Sequence, residues 1–455
     1  MLNDTVAAIS TAHGKGGVAM IRISGDSALE IARRVVSVKA EALEPRKSYY
    51  GNILRDGDII DDGILTYFKA PHSFTGEDVV EICCHGGVYV TGAVLESVLS
   101  QGAKMAGAGE FTKRAYINGK LTLSSAEAIG NIIDAKTDSQ LRLSSSQARG
   151  TLSCKVTSIK GEMLSLIAQA YAAVDYPDED IEDTTREKMA ATLNYVLNEL
   201  NALKKSYRAG KAVCEGVKTA IIGKPNAGKS SLYNMLLHDN LAIVTDIAGT
   251  TRDVIEHTAS LGGVTLNLAD TAGIRDSLDV VEKIGIERAK EKISDSELLL
   301  CVFDQSTKES QEDEYILECA RGKSAIAIIN KTDTAQGISQ EFLQKIADTC
   351  LKTVYISAKN QLGYEELAST VKELYDLGEI DLSHDAVISN ARQFSSVSLA
   401  LSETESAKEA LELGQTPDIV LFSLEKALSN LDMIDGREAS EEIVNTIFSR
   451  FCVGK

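Results

Sequence analysis

The sequence lacks cysteines at metal-binding spacing and also lacks long apolar runs. Its eight cysteines are scattered without a Cys-x-x-Cys pair, whereas a zinc site or a disulfide framework needs cysteines at short, regular spacing. We therefore expect free thiols in the reducing cytoplasm. No apolar run approaches the length that spans a bilayer, and residues 1–9 lack the charged and apolar regions of a secretion signal. The sequence predicts a cytoplasmic protein with no membrane segment.

Positive charge is also in short supply. The 47 lysines and arginines are outnumbered by 66 aspartates and glutamates, which gives a formal net charge of −19. Nonspecific binding to the nucleic-acid backbone draws on clustered lysine and arginine, so this composition argues against a broad contact with the phosphate backbone. Any RNA contact is expected to be local or shared with a partner. The length of 455 residues predicts about three domains.

The chain does contain a phosphate-binding loop. Residues 223–230 read GKPNAGKS, with a strand pattern before them and a helix pattern after them. The glycines let backbone N–H groups point at phosphates, Lys229 adds a positive charge, and the Ser230 hydroxyl can bind Mg²⁺. This loop predicts that the protein binds a nucleoside triphosphate.

Two later motifs indicate the base. Residues 330–333 read NKTD and follow the apolar run 325–329, and residues 357–359 read SAK after a second strand-like run. At the carboxyl end of a buried strand, Asp333 can accept two hydrogen bonds from the N1–H and amine of guanine, whereas adenine would leave this carboxylate unpaired. The SAK segment matches the clamp that GTPases place on the guanine oxygen. The predicted nucleotide is therefore GTP.

Two segments between these motifs complete the pattern of a G domain. Residues 249–252 read GTTR and residues 270–273 read DTAG. Asp270 is expected to hold Mg²⁺ through a water molecule, the Gly273 N–H to meet the γ-phosphate, and Thr251 to close over the metal. Together, the five motifs in this order and spacing predict a Ras-like P-loop fold.

The hydrolytic chemistry departs from the Ras pattern at one position. Ras-like enzymes place a water-orienting glutamine directly after Asp-x-x-Gly, but Ile274 stands here and can neither donate nor accept a hydrogen bond. Glu282 is the candidate for orienting the attacking water. The alternative is that Glu282 is an exposed carboxylate at the start of a helix, and the residues alone leave both roles open.

No arginine finger is identifiable either, so the charge that develops between the β- and γ-phosphates needs another cation. Asn226 lies inside the phosphate loop. With backbone carbonyls from residues 245–250, it is a candidate for an oxygen cage around K⁺. The alternative is that Asn226 is an ordinary turn residue.

The segments that flank the G domain have the periodicity of amphipathic helices. Apolar residues recur at steps of three and four. They are Val156, Ile159, Met163 and Leu166; Met189, Leu193, Val196, Leu200 and Leu203; and Leu421, Leu424, Leu428 and Leu431, followed by Ile443, Ile447 and Phe448. One helical bundle assembled from both flanks, with the G domain inserted in its middle, explains this pattern better than consecutive domains.

Residues 1–118 have the pattern of a compact α+β domain. Its predicted strands and helix cover 18–23, 63–68, 78–82 and 88–99. The predicted fold is a multidomain α/β protein. The predicted domains are 1–118 (α+β), 119–212 and 381–455 (the two parts of a discontinuous all-α helical domain) and 213–380 (the inserted G domain).

Several further strings match one family. They are GGV at 16–18, RISG at 22–25, SFTGED at 73–78, GEFT at 109–112 and FCVGK at 451–455. Through these strings and the GTPase motifs, the chain resembles the MnmE (TrmE) family of tRNA modification GTPases over its whole length. The last string is the most diagnostic, since other GTPases that share the NAGKS loop lack it. The alternative, an Era-type switch for ribosome assembly or regulation, leaves residues 1–118 and the terminal string unexplained.

The resemblance implies an activity, cofactors and partners. It implies a K⁺-dependent GTPase that forms a homodimer and binds 5-formyltetrahydrofolate or a related tetrahydrofolate in its N-terminal domain. It also implies a partner, the flavoprotein MnmG (GidA), which supplies FAD. Together they would modify C5 of the wobble uridine in tRNA, adding an aminomethyl or carboxymethylaminomethyl group with a carbon drawn from folate. GTP hydrolysis would act as a conformational drive.

The resemblance also implies roles for individual residues. It places K⁺ at Asn226, Thr245, Ile247 and Thr250, the catalytic water at Glu282, and folate at Arg22, Glu81, Lys120 and Lys455. Mg²⁺ is expected at Ser230 and Thr251. The complete predicted GTP-binding set is Asn226, Ala227, Gly228, Lys229, Ser230, Ser231, Thr245, Asp246, Ile247, Ala248, Gly249, Thr250, Thr251, Asp270, Thr271, Ala272, Gly273, Asn330, Lys331, Asp333, Ser357, Ala358 and Lys359.

Cys452, within the terminal string, has two candidate roles. Its thiolate is a nucleophile if Arg450 or Lys455 lies nearby. Alternatively, Cys452 is a small buried residue that positions the C-terminal tail. The second role is favoured because no general base is evident.

Overall fold

The computed structural model describes residues 4–38, 43–175, 182–238, 257–268 and 293–455. The chain divides into two compact units. The first combines Met1–Gly130 with Asp432–Lys455, and the second is Asn131–Leu431. No described helix is both long and apolar enough to cross a membrane.

The first unit is built on a seven-stranded sheet. Its strands are β1 (Val6–Ile9), β2 (Val18–Ser24), β3 (Val36–Val38), β4 (Ser48–Arg55), β5 (Asp58–Phe68), β6 (Val79–His85) and β7 (Lys104–Met105). They lie in the order β3-β4-β5-β6-β2-β1-β7. Only β1 and β7 pair in parallel, and the other neighbours are antiparallel. The sheet contains the three strands predicted in this region.

The first unit also contains helices, of which the first two pack on this sheet while the last one belongs to the C-terminus. They are α1 (Ala28–Val35), α2 (Val88–Ser100), α3 (Glu110–Ile117), α4 (Leu123–Asp134, which continues past the border at Gly130) and α14 (Glu441–Ser449). Ile21, Ile23 and Ile82 of the sheet share a buried core with Val94 and Val98 of α2. Along β2 and β6, buried residues alternate with half-buried ones, as expected when one face of a sheet is covered more completely than the other.

The second unit is built on a six-stranded sheet. Its strands are β8 (Val217–Gly223), β9 (His257–Leu261), β10 (Val264–Leu268), β11 (Leu298–Asp304), β12 (Ala325–Asn330) and β13 (Lys352–Tyr355). They lie in the order β13-β12-β11-β8-β10-β9, and only β9 is antiparallel to its neighbour. Every residue of β11 and β12 is buried, as expected for parallel strands covered on both faces. The carboxyl ends of the parallel strands therefore share one edge.

Helices of the second unit surround this sheet and form a bundle beside it. They are α5 (Asp138–Ala148), α6 (Thr151–Asp175), α7 (Glu182–Cys214), α8 (Lys229–His238), α9 (Gln311–Ala320), α10 (Gln340–Thr349), α11 (Tyr364–Leu374), α12 (Ala391–Glu412) and α13 (Pro417–Asp435, whose last residues fall in the first unit). Tyr207 of α7 stacks on Phe394 of α12 with ring centroids 4.4 Å apart. Helices from both flanks of the P-loop sheet thus pack together, as the periodicity indicated.

The predicted apolar faces of these helices are largely correct. All the residues named for α6 and α7 are buried. In α13, Leu421, Leu424 and Leu431 are buried and Leu428 is half-buried, while in α14 the buried positions are Val444 and Phe448. A shift of one residue along a short helix explains the last difference, because neighbouring positions border the same apolar stripe.

The predicted domain borders stay predictions, and the compact units group the C-terminus differently. The prediction joined residues 381–455 as one part of the helical domain, whereas residues 432–455 belong to the first unit. The reason is apolar packing of α14, in which Val444 and Phe448 share a buried cluster with Leu123 and Ala126. Helical periodicity shows that a face is buried but does not show what covers it.

Two helix glycines allow a matched test of the bundle. A Cβ atom on Gly210 of α7 would lie 2.1 Å from the Ile388 carbonyl oxygen, whereas one on Gly161 of α6 would meet nothing within 4 Å. We expect Gly210→Ala to lower the free energy of unfolding by about 2 kcal/mol through overpacking. Gly161→Ala should raise it by about 1 kcal/mol through helix propensity. Urea unfolding followed by circular dichroism measures both, and equal effects would contradict the close approach at Gly210.

Candidate nucleotide-binding site

The phosphate loop joins β8 to α8 at the carboxyl edge of the second sheet. Gly223 ends β8, and a Cβ atom there would lie 2.6 Å from the Val302 carbonyl oxygen of β11. Asn226 has φ 60° and Gly228 has φ 101°, which are left-handed conformations. Local backbone geometry therefore explains Gly223, through its close approach to β11, and Gly228, through its left-handed conformation. The left-handed Asn226 fits the turn role, and its exposed side chain also leaves it accessible to a ligand.

Lys229, the first residue of α8, holds its ammonium group against the loop itself. Its Nζ donates to the Gly223 carbonyl oxygen at 2.7 Å and to the Lys224 carbonyl oxygen at 2.8 Å. Burial lowers the pKa of Lys229, because a charged amine is less favourable away from water. Ser230 and Ser231 are exposed on the first turn of α8. A cation beside a helix N-terminus is an arrangement that favours phosphate.

The side-chain amide of Asn330 connects the phosphate loop to the predicted guanine loop. Asn330 ends β12 and is 3% exposed. Its Nδ2 donates to the Ala227 carbonyl oxygen at 2.9 Å, and its Oδ1 accepts from the Ala358 N–H at 3.1 Å. A Cβ atom on Gly228 would lie 2.0 Å from this Nδ2. Glycine is thus required at position 228 for the amide to reach the loop.

Asp333 and Ser357 meet beside this amide. Ser357 Oγ donates to Asp333 Oδ1 at 2.6 Å, and the Asp333 carboxylate is exposed. This hydrogen bond is the main cause that lowers the pKa of Asp333, with its own backbone N–H contributing next. The arrangement keeps an ionised, accessible acceptor at the sheet edge, which is what the N1–H and amine of guanine need. Lys359 is exposed in the same segment.

Asp304 is a site residue that the motifs did not predict. It ends β11 and is 5% exposed. Its carboxylate accepts from Lys331 Nζ at 2.5 Å and from the Ser306 N–H at 2.9 Å. Lys331 has φ 66°, a left-handed conformation that is uncommon for residues other than glycine, and the ion pair fixes its side chain. The signal in the sequence was an aspartate that ends a wholly apolar run.

A group of predicted residues lies outside the described residues. They are Thr245, Asp246, Ile247, Ala248, Gly249, Thr250, Thr251, Asp270, Thr271, Ala272, Gly273 and Glu282. Of the residues predicted to hold metal ions, the structure therefore describes Asn226 and Ser230. The amide and hydroxyl oxygens of these two are suitable donors for K⁺ and Mg²⁺.

The first unit brings two of the predicted folate residues into direct contact. Arg22 and Glu81 are partners across β2 and β6. Arg22 Nε and Nη2 donate to Glu81 Oε1 at 3.0 and 2.8 Å, and the two side chains are 18% and 20% exposed. The guanidinium lies 5.6 Å from the ring centroids of Phe74 and Phe111. The sequence did not predict this pair, because the two residues are 59 positions apart.

The other two predicted folate residues lie on segments that adjoin this pair. Lys120 Nζ is exposed and donates to the Pro71 carbonyl oxygen at 3.0 Å. Lys455 is half-buried, and its carbonyl oxygen accepts from the Phe111 N–H at 3.1 Å. Gly454 has φ 95°, and a Cβ atom there would lie 2.1 Å from the Ile9 carbonyl oxygen. The terminal residues are therefore fixed against the sheet by their backbone.

The expectation that Cys452 is buried is wrong, because its side chain is exposed. The tail is positioned instead by main-chain contacts. The Cys452 carbonyl oxygen accepts from the Gly109 N–H at 3.3 Å, and Val453 forms an antiparallel bridge with Ala108. The thiol takes no part in these contacts.

Comparisons with known proteins cover the whole chain. Residues 5–120 match the family model of the GTP-binding protein TrmE N-terminus, and residues 123–452 match that of the MnmE helical domain. The tRNA modification GTPase MnmE of Thermoanaerobacter pseudethanolicus is 40% identical, and that of Clostridioides difficile is 41% identical. Each alignment covers 100% of both chains. Among solved structures, the G domain of the T. maritima FeoB iron transporter is similar at 26% identity and a TM-score of 0.25, covering 35% of this chain and 98% of that one.

The Ser357–Asp333 hydrogen bond predicts a pH dependence. A carboxylate whose pKa is lowered stays ionised further into acid, so the wild-type protein keeps its predicted guanine acceptor ionised as the pH falls. In Ser357→Ala the pKa of Asp333 rises toward its ordinary value, and GDP affinity should begin to fall at a higher pH. Fluorescent GDP binding across the acid range measures this shift. The control is Ser296→Ala, which removes a hydroxyl that donates to the Ile293 carbonyl oxygen. If GDP affinity in Ser357→Ala begins to fall at the same pH as in the wild-type protein, the role of Ser357 is contradicted.

Proposed function

Because the chain belongs to the MnmE family of tRNA modification GTPases, we propose that it works with the flavoprotein MnmG (GidA) to modify C5 of the wobble uridine in tRNA. The protein is a GTP hydrolase that acts in tRNA modification. The proposed product carries an aminomethyl or carboxymethylaminomethyl group, with its one-carbon unit drawn from folate. FAD comes from the partner, and the working form is a cytoplasmic homodimer.

The observation that carries the GTP-binding part of this proposal is the Asn330 amide, which connects the phosphate loop to the proposed guanine loop. Its two hydrogen bonds, to Ala227 and to Ala358, leave both loops at the carboxyl edge of one parallel sheet. A nucleotide that spans the two loops meets Lys229 at its phosphates and Asp333 at its base. This geometry supports GTP over ATP, because only guanine offers two donors to one carboxylate.

For hydrolysis, we propose that Glu282 orients the attacking water, since Ile274 cannot do so. The proposed ligands are Asn226, Thr245, Ile247 and Thr250 for K⁺, and Ser230 and Thr251 for Mg²⁺. When bound, these cations offset the negative charge that develops between the β- and γ-phosphates. Lys229 adds to this effect, because its present partners are neutral carbonyl oxygens that a phosphate can replace.

We propose that Arg22, Glu81, Lys120 and Lys455 bind the tetrahydrofolate. The Arg22–Glu81 pair offers both a cation for a carboxylate and an acceptor for pterin N–H groups within one small patch. The two phenylalanine rings, each 5.6 Å from the Arg22 guanidinium, add flat apolar surface near it. Supporting this placement, Phe111 also donates its N–H to Lys455.

Nucleoside analysis of tRNA tests the proposed function. In cells that lack this protein, the C5 substituent of the wobble uridine should disappear, and a plasmid copy of the wild-type protein should restore it. An Era-type switch would instead leave the wobble nucleosides unchanged, and that result would overturn the proposal.

The same experiment with the Arg22→Met variant tests the proposed folate site. This variant should fail to restore the substituent, while its GTP turnover in vitro stays within about twofold of wild type because none of the five GTPase motifs includes Arg22. Arg34→Met removes an arginine that is paired with Glu30 on the exposed side of α1 and should restore the substituent fully. Full restoration by both variants would remove Arg22 from the proposed folate site.

A further inference from the structure

Lys224, the second residue of the phosphate loop, is tethered by its side chain to α9. Its Nζ donates to Asp313 Oδ2 at 2.8 Å and to Thr307 Oγ1 at 2.9 Å. The Lys224 and Asp313 side chains are 13% and 3% exposed. The ion pair therefore lies largely out of water, where breaking one partner costs far more than it does at the surface.

The backbone of Lys224 positions the rest of the loop. Its carbonyl oxygen accepts from Lys229 Nζ at 2.8 Å and from the Ala227 N–H at 3.3 Å. A side chain fixed to α9 restricts the peptide to which it is attached. A continuous set of contacts thus runs from Asp313 through Lys224 to the ammonium group that is expected to meet the phosphates.

The capping role of Asp313 at the start of α9 requires an oxygen acceptor but not a negative charge. It is the third residue of the helix and forms a capping box with Ser310, whose N–H donates to Asp313 Oδ2 at 2.9 Å. A neutral glutamine or asparagine oxygen can fill that capping role. Oδ1 is buried and accepts no hydrogen bond from any described residue. A desolvated carboxylate of this kind is unfavourable unless an opposite charge offsets it, and Lys224 is the cation in contact with it.

We propose that Asp313 is a positioning residue for nucleotide binding: acting through Lys224, it holds the phosphate loop so that Lys229 faces the phosphates. Asp313 itself does not touch the nucleotide. The proposal rests on the GTP binding of this loop. It adds a residue outside the five GTPase motifs, in a helix that none of them includes.

A double-mutant cycle in the full-length protein tests this proposal. Asp313→Asn keeps an oxygen for the Ser310 N–H and removes the charge, and Lys224→Met removes the cation. Each should raise the Kd for GDP and for GTP about tenfold, and the double variant should raise it no further because the two residues act as one unit. Lys224→Arg should stay within about twofold of wild type, since a guanidinium can also pair with the carboxylate.

Glu314→Gln is the matched control. Glu314 is the next residue of α9, and its 3.1 Å ion pair with Lys345 is exposed, so nucleotide affinity should not change. Melting temperatures of all variants separate a loss of stability from a loss of affinity. Unchanged Kd values in Asp313→Asn, or independent effects that multiply in the double variant, would overturn the proposal. Failure of the wild-type protein to bind GTP would overturn the proposed function instead.

Discussion

The hydrogen bonds of the Asn330 amide are the constraint on which the nucleotide site depends. One carboxamide donates to the phosphate loop at Ala227 and accepts from the predicted guanine loop at Ala358, so the two loops are held at one separation. The amide is buried, and a buried polar group is costly unless its partners are in place. A single ligand that spans both loops benefits from this fixed separation, because little reorganisation remains to be done on binding. The left-handed Gly228 is part of the same constraint, since a side chain there would meet the amide.

Charge pairing among the described residues explains how the phosphate loop of an acidic protein keeps one lysine without a negatively charged partner. The chain carries a net charge of −19, yet its phosphate loop contains two lysines. Lys224 is neutralised by Asp313, whereas the described partners of Lys229 are neutral carbonyl oxygens. In the predicted guanine loop, Lys331 is likewise neutralised by Asp304. The positive field of the loop is therefore concentrated at Lys229, where burial has already removed part of the water that a phosphate would displace.

Local patterns in the sequence predicted the elements and the motif positions well. β8, α8 and β12 stand where the phosphate and guanine motifs require them, and the apolar stripes of α6 and α7 are buried. The contacts that position the side chains of the site were not predictable from local sequence patterns. Asp304 and Asp313 look like ordinary acids at a strand end and a helix start, and only the packing of β11 and α9 shows what they hold. The Arg22–Glu81 pair depends on strand register, and the grouping of residues 432–455 depends on which surface covers α14.

The most direct test of this account measures whether Asn330 couples the two halves of the site. Competition against fluorescent GDP gives the affinity of wild-type protein and Asn330→Ala for GDP, for guanosine and for pyrophosphate. Removing a buried amide that makes two hydrogen bonds should weaken GDP about a hundredfold. Guanosine and pyrophosphate, which each occupy one loop, should weaken by less than about threefold. Equal losses for the three ligands, or an unchanged affinity for GDP, would contradict the coupling role of Asn330.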